Sequence, residues 1–482
     1  MFVVKNKNWF GDNMNIVKEI FKDRSFIKKT LAIAVPVTAQ NLLSNMLNLV
    51  DSLLIIRLGE ASVTSVSLAN KYFFVFSLLM FGISSGSSIL ASQYYGKRDM
   101  LGIKRVFRIS IMIGVLGGLL FMLPALLNPH FIMSIITSHQ DMIQIGSTYL
   151  VVIAISYPIT AITISYSSIL RSMNYVKVPM LVTTFAIIVN VILNFGFIFG
   201  MFGLPRLGVA GSALATVIAR TLECTLLIAI TRFCKEGDDS VGDFIHAKYK
   251  KTKENLEPFI NRLFVKKYFF TASPVIANEF MWGLGVTIYA VVYGRMEPHA
   301  TAAITITNII ESIIVVSFLG LCNSSAVILG NELGGNELKK AEKHAKYFMV
   351  LQFMISIVVA IITFLLKDVI VSLFPASSQA IHYIKNCMIV LSISIPIRAL
   401  NTQIIVSILR SGGDTLAALF LDISGVWFIG IPMAYLGGIV FHLPIYIVYA
   451  MVLLEELYKL ILGYIRYRQK KWIKNIVVRD VI

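Results

Sequence analysis

Residues 36–59 read PVTAQNLLSNMLNLVDSLLIIRLG. The run is apolar, yet it embeds one acid, Asp51, and three asparagines, Asn41, Asn45 and Asn48. Asn41, Asn45, Asn48 and Ser52 follow one another by four, three and four residues, which sets them on one face of a helix. A polar stripe on so apolar a helix must face other helices or a wet cavity, because lipid cannot satisfy it. The same opening returns at 274–295 as PVIANEFMWGLGVTIYAVVYGR. Pro36, Val37, Ala39 and Arg57 recur there as Pro274, Val275, Ala277 and Arg295, all at one offset.

The repeat extends well beyond that helix. Asn70 recurs as Asn308, Pro158 as Pro396, and the run SILRS at 168–172 returns at 407–411. Matches at nearly one offset, spread over several apolar runs, indicate a duplicated unit. The 482 residues are 57% hydrophobic and only 14% charged, against roughly a quarter charged in soluble domains. That composition excludes a soluble fold, a disordered chain and a collagen-like one. Twelve runs are long enough to cross a bilayer, at about 31–57, 62–93, 104–127, 142–170, 178–200, 209–233, 268–294, 300–332, 343–366, 380–409, 416–438 and 443–465. The expected fold is an all-α polytopic membrane protein of two parallel six-helix repeats. It divides into a tail (1–30), a lobe (31–234), a linker (235–266), a second lobe (267–467) and a basic tail (468–482).

The net charge of +17 reflects orientation rather than nucleic-acid binding. With both termini in the cytoplasm, only Arg57, Arg206, Arg295, Lys367 and Lys385 fall outside, and Lys71, Arg220, Arg398 and Lys459 fall within spans. The rest line the inner loops and tails, as the positive-inside rule requires. Cys224, Cys234, Cys322 and Cys387 have no disulfide or metal-ligand spacing. No GxxxxGK[ST] phosphate loop and no HExxH or GxSxG motif occurs, so neither ATP-driven transport nor catalysis has a sequence basis.

Ionisable groups at membrane depth are costly and mark candidate sites. Asp51 leads them. Asn190 and Asn194 stand one turn apart on the fifth span and share a face, Thr216 lies on the sixth, and the topology brings Asp51, Asn194 and Thr216 toward the outer half of the membrane. A carboxylate ringed by amide and hydroxyl oxygens suits Na+; a desolvated carboxylate can carry a proton instead. Glu279 on the seventh span and Glu311 on the eighth are the second-half candidates. Glu223 pairs with Arg220 three residues away. Asp422 is expected to reach water near the cytoplasmic end, and Glu455 and Glu456 to pair with Lys459.

These segments resemble the multidrug and toxic compound extrusion (MATE) family. The resemblance is carried by 36–59, by ILASQYYGKRD at 89–99, SILRSMN at 168–174, NVILNFGFIFG at 190–200 and GVAGSALAT at 208–216. The second half adds PVIANEFMWGLG at 274–285, ILGNELGG at 328–335 and SILRSGGDT at 407–415. It covers essentially 31–467. It implies a V-shaped pair of lobes exporting organic cations in exchange for Na+ or H+. Asp51 matches the coupling acid of the first helix, Asn190 and Thr216 match its partners, and Asn194 stands where an Asp is frequent. Glu279 matches the helix-7 Glu of another branch, whose helix-10 acid is missing here: no Asp or Glu lies between Asn386 and Gly413.

The expected function is therefore secondary antiport of amphipathic organic cations across the cytoplasmic membrane. The chain is expected to act as a monomer, without cofactor or nucleic acid, with Na+ or H+ as the coupling ion. The rival reading is a lipid-linked oligosaccharide flippase, which needs a strongly basic cavity; the spans hold fewer bases than acids.

Overall fold

The computed structural model describes residues 9–233, 261–372, 374 and 377–478. The first eight residues of the N-terminal tail, nearly all of the 235–266 linker (through residue 260) and the last four residues of the basic tail lie outside the described residues. Every regular element among the described residues is a helix.

The chain opens with α1 (Trp9–Lys22) and α2 (Arg24–Ile55). Between them Asp23 accepts the Phe26 amide hydrogen (3.0 Å), so the first spanning helix is capped several residues ahead of the expected residue 31. Next come α3 (Glu60–Gly96), α4 (Met100–Leu127), α5 (Pro129–Ile136), α6 (Gln140–Ala154), α7 (Ser156–Ser172), α8 (Lys177–Phe199) and α9 (Gly208–Phe233). The second half has α10 (Arg262–Gly294), α11 (Pro298–Gly334), α12 (Leu338–Ser372) and α13 (Ser378–Asn401). It ends with α14 (Thr415–Gly425), α15 (Ile431–Tyr435), α16 (Ile445–Val452) and α17 (Leu454–Arg468). Wide π-helical turns continue α13 at Thr402–Leu409 and flank α15 at Val426–Gly430 and Leu436–Val440.

Ten of these helices or continuous helical runs are long and apolar enough to cross a membrane, and α6 with α7 forms an eleventh, bent by 47°. The sequence reads 142–170 as one run. Pro158 lacks the amide hydrogen that would bond the Ala154 carbonyl, which favours a break at this point. The bend has a partner: a Cβ on Gly118 of α4 would stand 2.7 Å from Pro158 Cα. The last expected span, 443–465, is α16 and α17, parted at Leu453, and α17 brings Glu455, Glu456 and Lys459 inward. On α12, Val358, Ile361, Ile362, Phe364 and Leu365 all point outward, the surface expected against hydrocarbon.

Two compact units form, and the division falls inside α2, after Thr38, and inside α10, after Gly283. The unit of residues 39–283 has its core around Phe76, Met80, Leu150, Tyr157 and Ile198. Phe76 and Tyr157 stack there at 5.0 Å. The start of α10 packs tightly on α3 within this unit. A Cβ on Gly86 would lie 2.6 Å from Ala272 Cβ, and one on Gly82 would lie 2.7 Å from Ile276 Cα. Small residues permit such approach where no hydrophobic effect drives helices together.

The other unit joins residues 1–38 to 284–482. Its core lies around Ala303, Ile384, Met388, Ala399 and Val448. Within it α1 docks on α12: Ile20 is buried, and Tyr347 Oη donates to Glu19 Oε2 (3.1 Å). The described part of the basic tail is also anchored. Trp472 is fully buried and stacks on Tyr467 at 5.9 Å, and Asn475 Nδ2 donates to the Gly334 carbonyl (3.0 Å).

Gly86→Ala should cost about 1–3 kcal/mol through overpacking against Ala272. Gly294→Ala, where a Cβ meets nothing within 4 Å, should change stability by no more than about 0.5 kcal/mol. Thermal unfolding in detergent measures both; equal effects would mean that α3 and α10 do not pack this closely.

Candidate functional site

Asp51 sits on α2, four residues before that helix ends. Asn190 and Asn194 project from one face of α8, and Thr216 comes from α9, the helix with which α8 packs most extensively. The structure brings all four together. Asn194 Nδ2 donates one hydrogen to Asp51 Oδ1 (2.7 Å) and the other to Asn190 Oδ1 (2.9 Å). Asn190 Nδ2 donates to Thr216 Oγ1 (3.3 Å), and Thr216 Oγ1 donates back to the Ser212 carbonyl (3.1 Å). Along this chain the side-chain amide hydrogens point away from α8 at both ends, toward Asp51 and toward Thr216. Asn190 and Asn194 are buried.

One atom in the relay is unsatisfied. Asn194 is wholly buried, and its Oδ1 has no hydrogen-bond partner. A buried amide oxygen without a donor costs about 1–3 kcal/mol. Standing on the same side chain that holds Asp51, it is an oxygen ready to accept a proton donor or to face a cation.

The rest of the polar stripe is less enclosed. Asn41 and Asn45 are half-buried and Asn48 is exposed. Ser44 and Ser52 turn their hydroxyls back to the Gln40 and Asn48 carbonyls (2.9 Å each). Deeper in the same unit, Gln40 Nε2 donates to Thr183 Oγ1 (2.9 Å), which donates to Glu223 Oε1 (2.7 Å). Glu223 Oε2 holds Arg220 at 3.0 Å, the pairing their spacing implies.

Glu279 is buried at 8% exposure on the part of α10 that belongs to the 39–283 unit, whereas Glu311 on α11 belongs to the other unit. Glu311 is fully engaged: one oxygen binds Arg398 Nη1 and the other accepts from Tyr449 Oη (2.9 Å). Arg398 lies on α13, within the stretch where the sequence shows no acid. Asp422 is not in water. Its side chain is 16% exposed and bonds Lys459 Nζ at 3.2 Å. Glu455 and Glu456 do meet Lys459, each at 3.5 Å. Sequence spacing reveals that local pair but not Asp422, Arg398, Asn401 and Tyr289 around it, because those come from three other helices. Among the described residues no group of three or more His, Cys, Asp or Glu side chains could hold a metal ion.

A family model described as MatE matches the chain twice, over residues 36–195 and 274–436. The chain belongs to the MatE family. Both matches start on the repeated prolines, Pro36 and Pro274, so the duplication seen in the sequence is the family's own. Among similar proteins is a probable multidrug resistance protein, YoeA, of Bacillus subtilis. It is 25% identical over 402 residues, covering 83% of this chain and 84% of YoeA. A probable multidrug resistance protein NorM of Thermotoga maritima is 20% identical, covering 94% of both chains. The solved structure of a MOP superfamily transporter from Pyrococcus furiosus aligns with a TM-score of 0.80 at 18% identity, over 92% of this chain and 95% of that one. The protein is thus a helical membrane transporter with the MatE fold.

The relay sets an order of sensitivity in this MatE protein. Asn194→Leu removes the donor to Asp51 and to Asn190 together and should cost about 1–3 kcal/mol. Thr216→Val removes only the far end and should cost about 1 kcal/mol or less. Thermal unfolding of the purified variants checks the order; the reverse order would mean the amides do not hold Asp51.

Proposed function

We propose that the protein is a multidrug efflux antiporter of the cytoplasmic membrane, exporting organic, amphipathic cations in exchange for H+ or Na+ taken up at Asp51. The observation that carries this reading is the Asp51–Asn194–Asn190–Thr216 relay with its orphaned Asn194 oxygen. A carboxylate held at the end of a hydrogen-bonded chain, beside an unsatisfied acceptor, binds a monovalent cation. It cannot hold that ion and a cationic substrate equally well. Ion entry from outside therefore favours release of substrate outward, and the competition is the coupling. The multidrug names carried by relatives from two bacteria support the substrate class.

The oligosaccharide flippase reading is weaker. It requires free bases to hold a pyrophosphate, but three of the four bases within the spans, Arg220, Arg398 and Lys459, are each neutralised by carboxylates. Glu279 is the candidate for the cationic head of the substrate, since it is a buried acid that the relay does not use.

In proteoliposomes, a proton or a sodium gradient imposed alone should drive movement of a fluorescent cationic dye. Asp51→Asn should abolish it, while Glu279→Gln should weaken dye binding and leave ion uptake intact. Dye movement that ignores both gradients, in protein shown to be folded, would exclude antiport.

A further inference from the structure

The unit of residues 1–38 and 284–482 contains a buried charge network that Asp51 and its relay do not touch. Four carboxylates share it: Glu311, Asp422, Glu455 and Glu456. Two bases answer them, Arg398 and Lys459. Lys459 Nζ stands 3.2 Å from Asp422 and 3.5 Å from both Glu455 and Glu456. Arg398 binds Glu311 through Nη1 and faces Glu456 through Nε at 3.8 Å. Among these six side chains the carboxylates outnumber the bases four to two. Both Glu455 and Lys459 are only 4% exposed. Carboxylates crowded in so dry a place are costly, and binding a cation or neutralising one carboxylate relieves the cost.

Space for this network is built into the backbone. A Cβ on Gly430 would overlap both Tyr289 Oη and Glu455 Oε2, and one on Gly425 would lie 2.9 Å from Lys459 Cε. These two glycines bracket the π-helical turn Val426–Gly430. Such turns are frequent at functional sites. The surroundings favour a proton over a metal ion. The network's carboxylates meet phenol, ammonium, guanidinium and amide hydrogens, and a metal ion needs oxygens freed of such donors.

The hydrogen bonds around Glu455 have two consistent arrangements. Tyr289 Oη donates to Glu455 Oε2 at 2.6 Å, and its other acceptor within reach is the Val426 carbonyl at 3.4 Å, in that same π turn. An ionised Glu455 accepts from the phenol. A protonated Glu455 donates to the phenol oxygen, whose hydrogen then turns to Val426 O. Unsatisfied atoms lie beside Glu456: Asn401, 4% exposed, gives its Nδ2 to Glu456 Oε2 (2.7 Å) while its Oδ1 has no hydrogen-bond partner, and Arg398 Nε has none either. Among the described residues, Tyr293, ring-packed on Tyr289 at 6.5 Å, Tyr449, which donates to Glu311, and Tyr458, which donates to Ser424, are further titratable neighbours.

We propose that Glu455, set between Tyr289 and Lys459, is a proton-binding carboxyl, distinct from Asp51, that takes its proton from water and returns it to water, the Tyr289 hydroxyl turning to the Val426 carbonyl while the proton is bound. If the protein is the antiporter proposed above, on which only this clause rests, Glu455 supplies a second site for the exchanged proton.

Infrared difference spectroscopy of the purified full chain tests this without substrate, since a protonated carboxyl has its own C=O stretching band. The comparison is Asp51→Asn against Asp51→Asn with Glu455→Gln, titrated from acid to alkaline pH. The expected result is an acid band at neutral pH in the first protein that is lost in the second. Tyr289→Phe, which keeps every carboxylate, should shift that band; it serves if the double variant does not fold. No acid band, a band that survives Glu455→Gln, or one unmoved by Tyr289→Phe would overturn the proposal. Gradient-driven dye export without the band defeats this inference alone. The band without such export defeats only the antiport reading.

Discussion

A charge placed among apolar helices has no water to lean on, and this constraint organises the protein. Arg220 is matched by Glu223, Arg398 by Glu311, and Lys459 by three carboxylates drawn from two helices. Removing one member of such a set would strand the others, so the partners act as cross-links between helices as well as neutralisers. Asp51 differs in kind. It is held by neutral amides rather than by a cation, and its bond to Asn194 stabilises a carboxylate without cancelling its charge. Asp51 is thus held by an amide where Glu311 is held by a guanidinium.

Close helix approach is the second organising feature, and it serves the first. Gly82 and Gly86 let α10 lie against α3. Gly425 and Gly430 clear the volume that Lys459, Tyr289 and Glu455 occupy. In each case a missing Cβ is what allows a polar or crowded contact to form. The π-helical turns beside α15 add carbonyls at altered angles, and one of them gives Tyr289 its alternative acceptor.

Much of this was legible in the residues. The recurrence of Pro36 and Pro274 revealed the duplication, and the two family matches start at the same two prolines. The one-turn spacing of Asn190 and Asn194 placed both on a single face, and that face is the one that meets Asp51. Local pairs such as Arg220–Glu223 follow from helix geometry alone. The bend between α6 and α7 had only Pro158 as its signal. The network around Lys459 had none beyond the Glu455–Lys459 spacing, because Asp422, Arg398 and Tyr289 are 30 or more residues away along the chain.

What the sequence determined by itself is therefore everything that depends on short-range periodicity and on hydropathy: helical class, apolar spans, duplication and the polar face of the first helix. These follow from covalent geometry and from the cost of exposing polar groups to hydrocarbon, and both act within a few turns of one helix. Tertiary structure alone decided which acids are held by bases and which by amides. Asp51 and Glu311 look alike in sequence, each an acid in an apolar run. They part because α8 presents amides to one, while α13 presents a guanidinium to the other. Pairing across helices depends on rotation and depth, which no spacing within a single helix encodes.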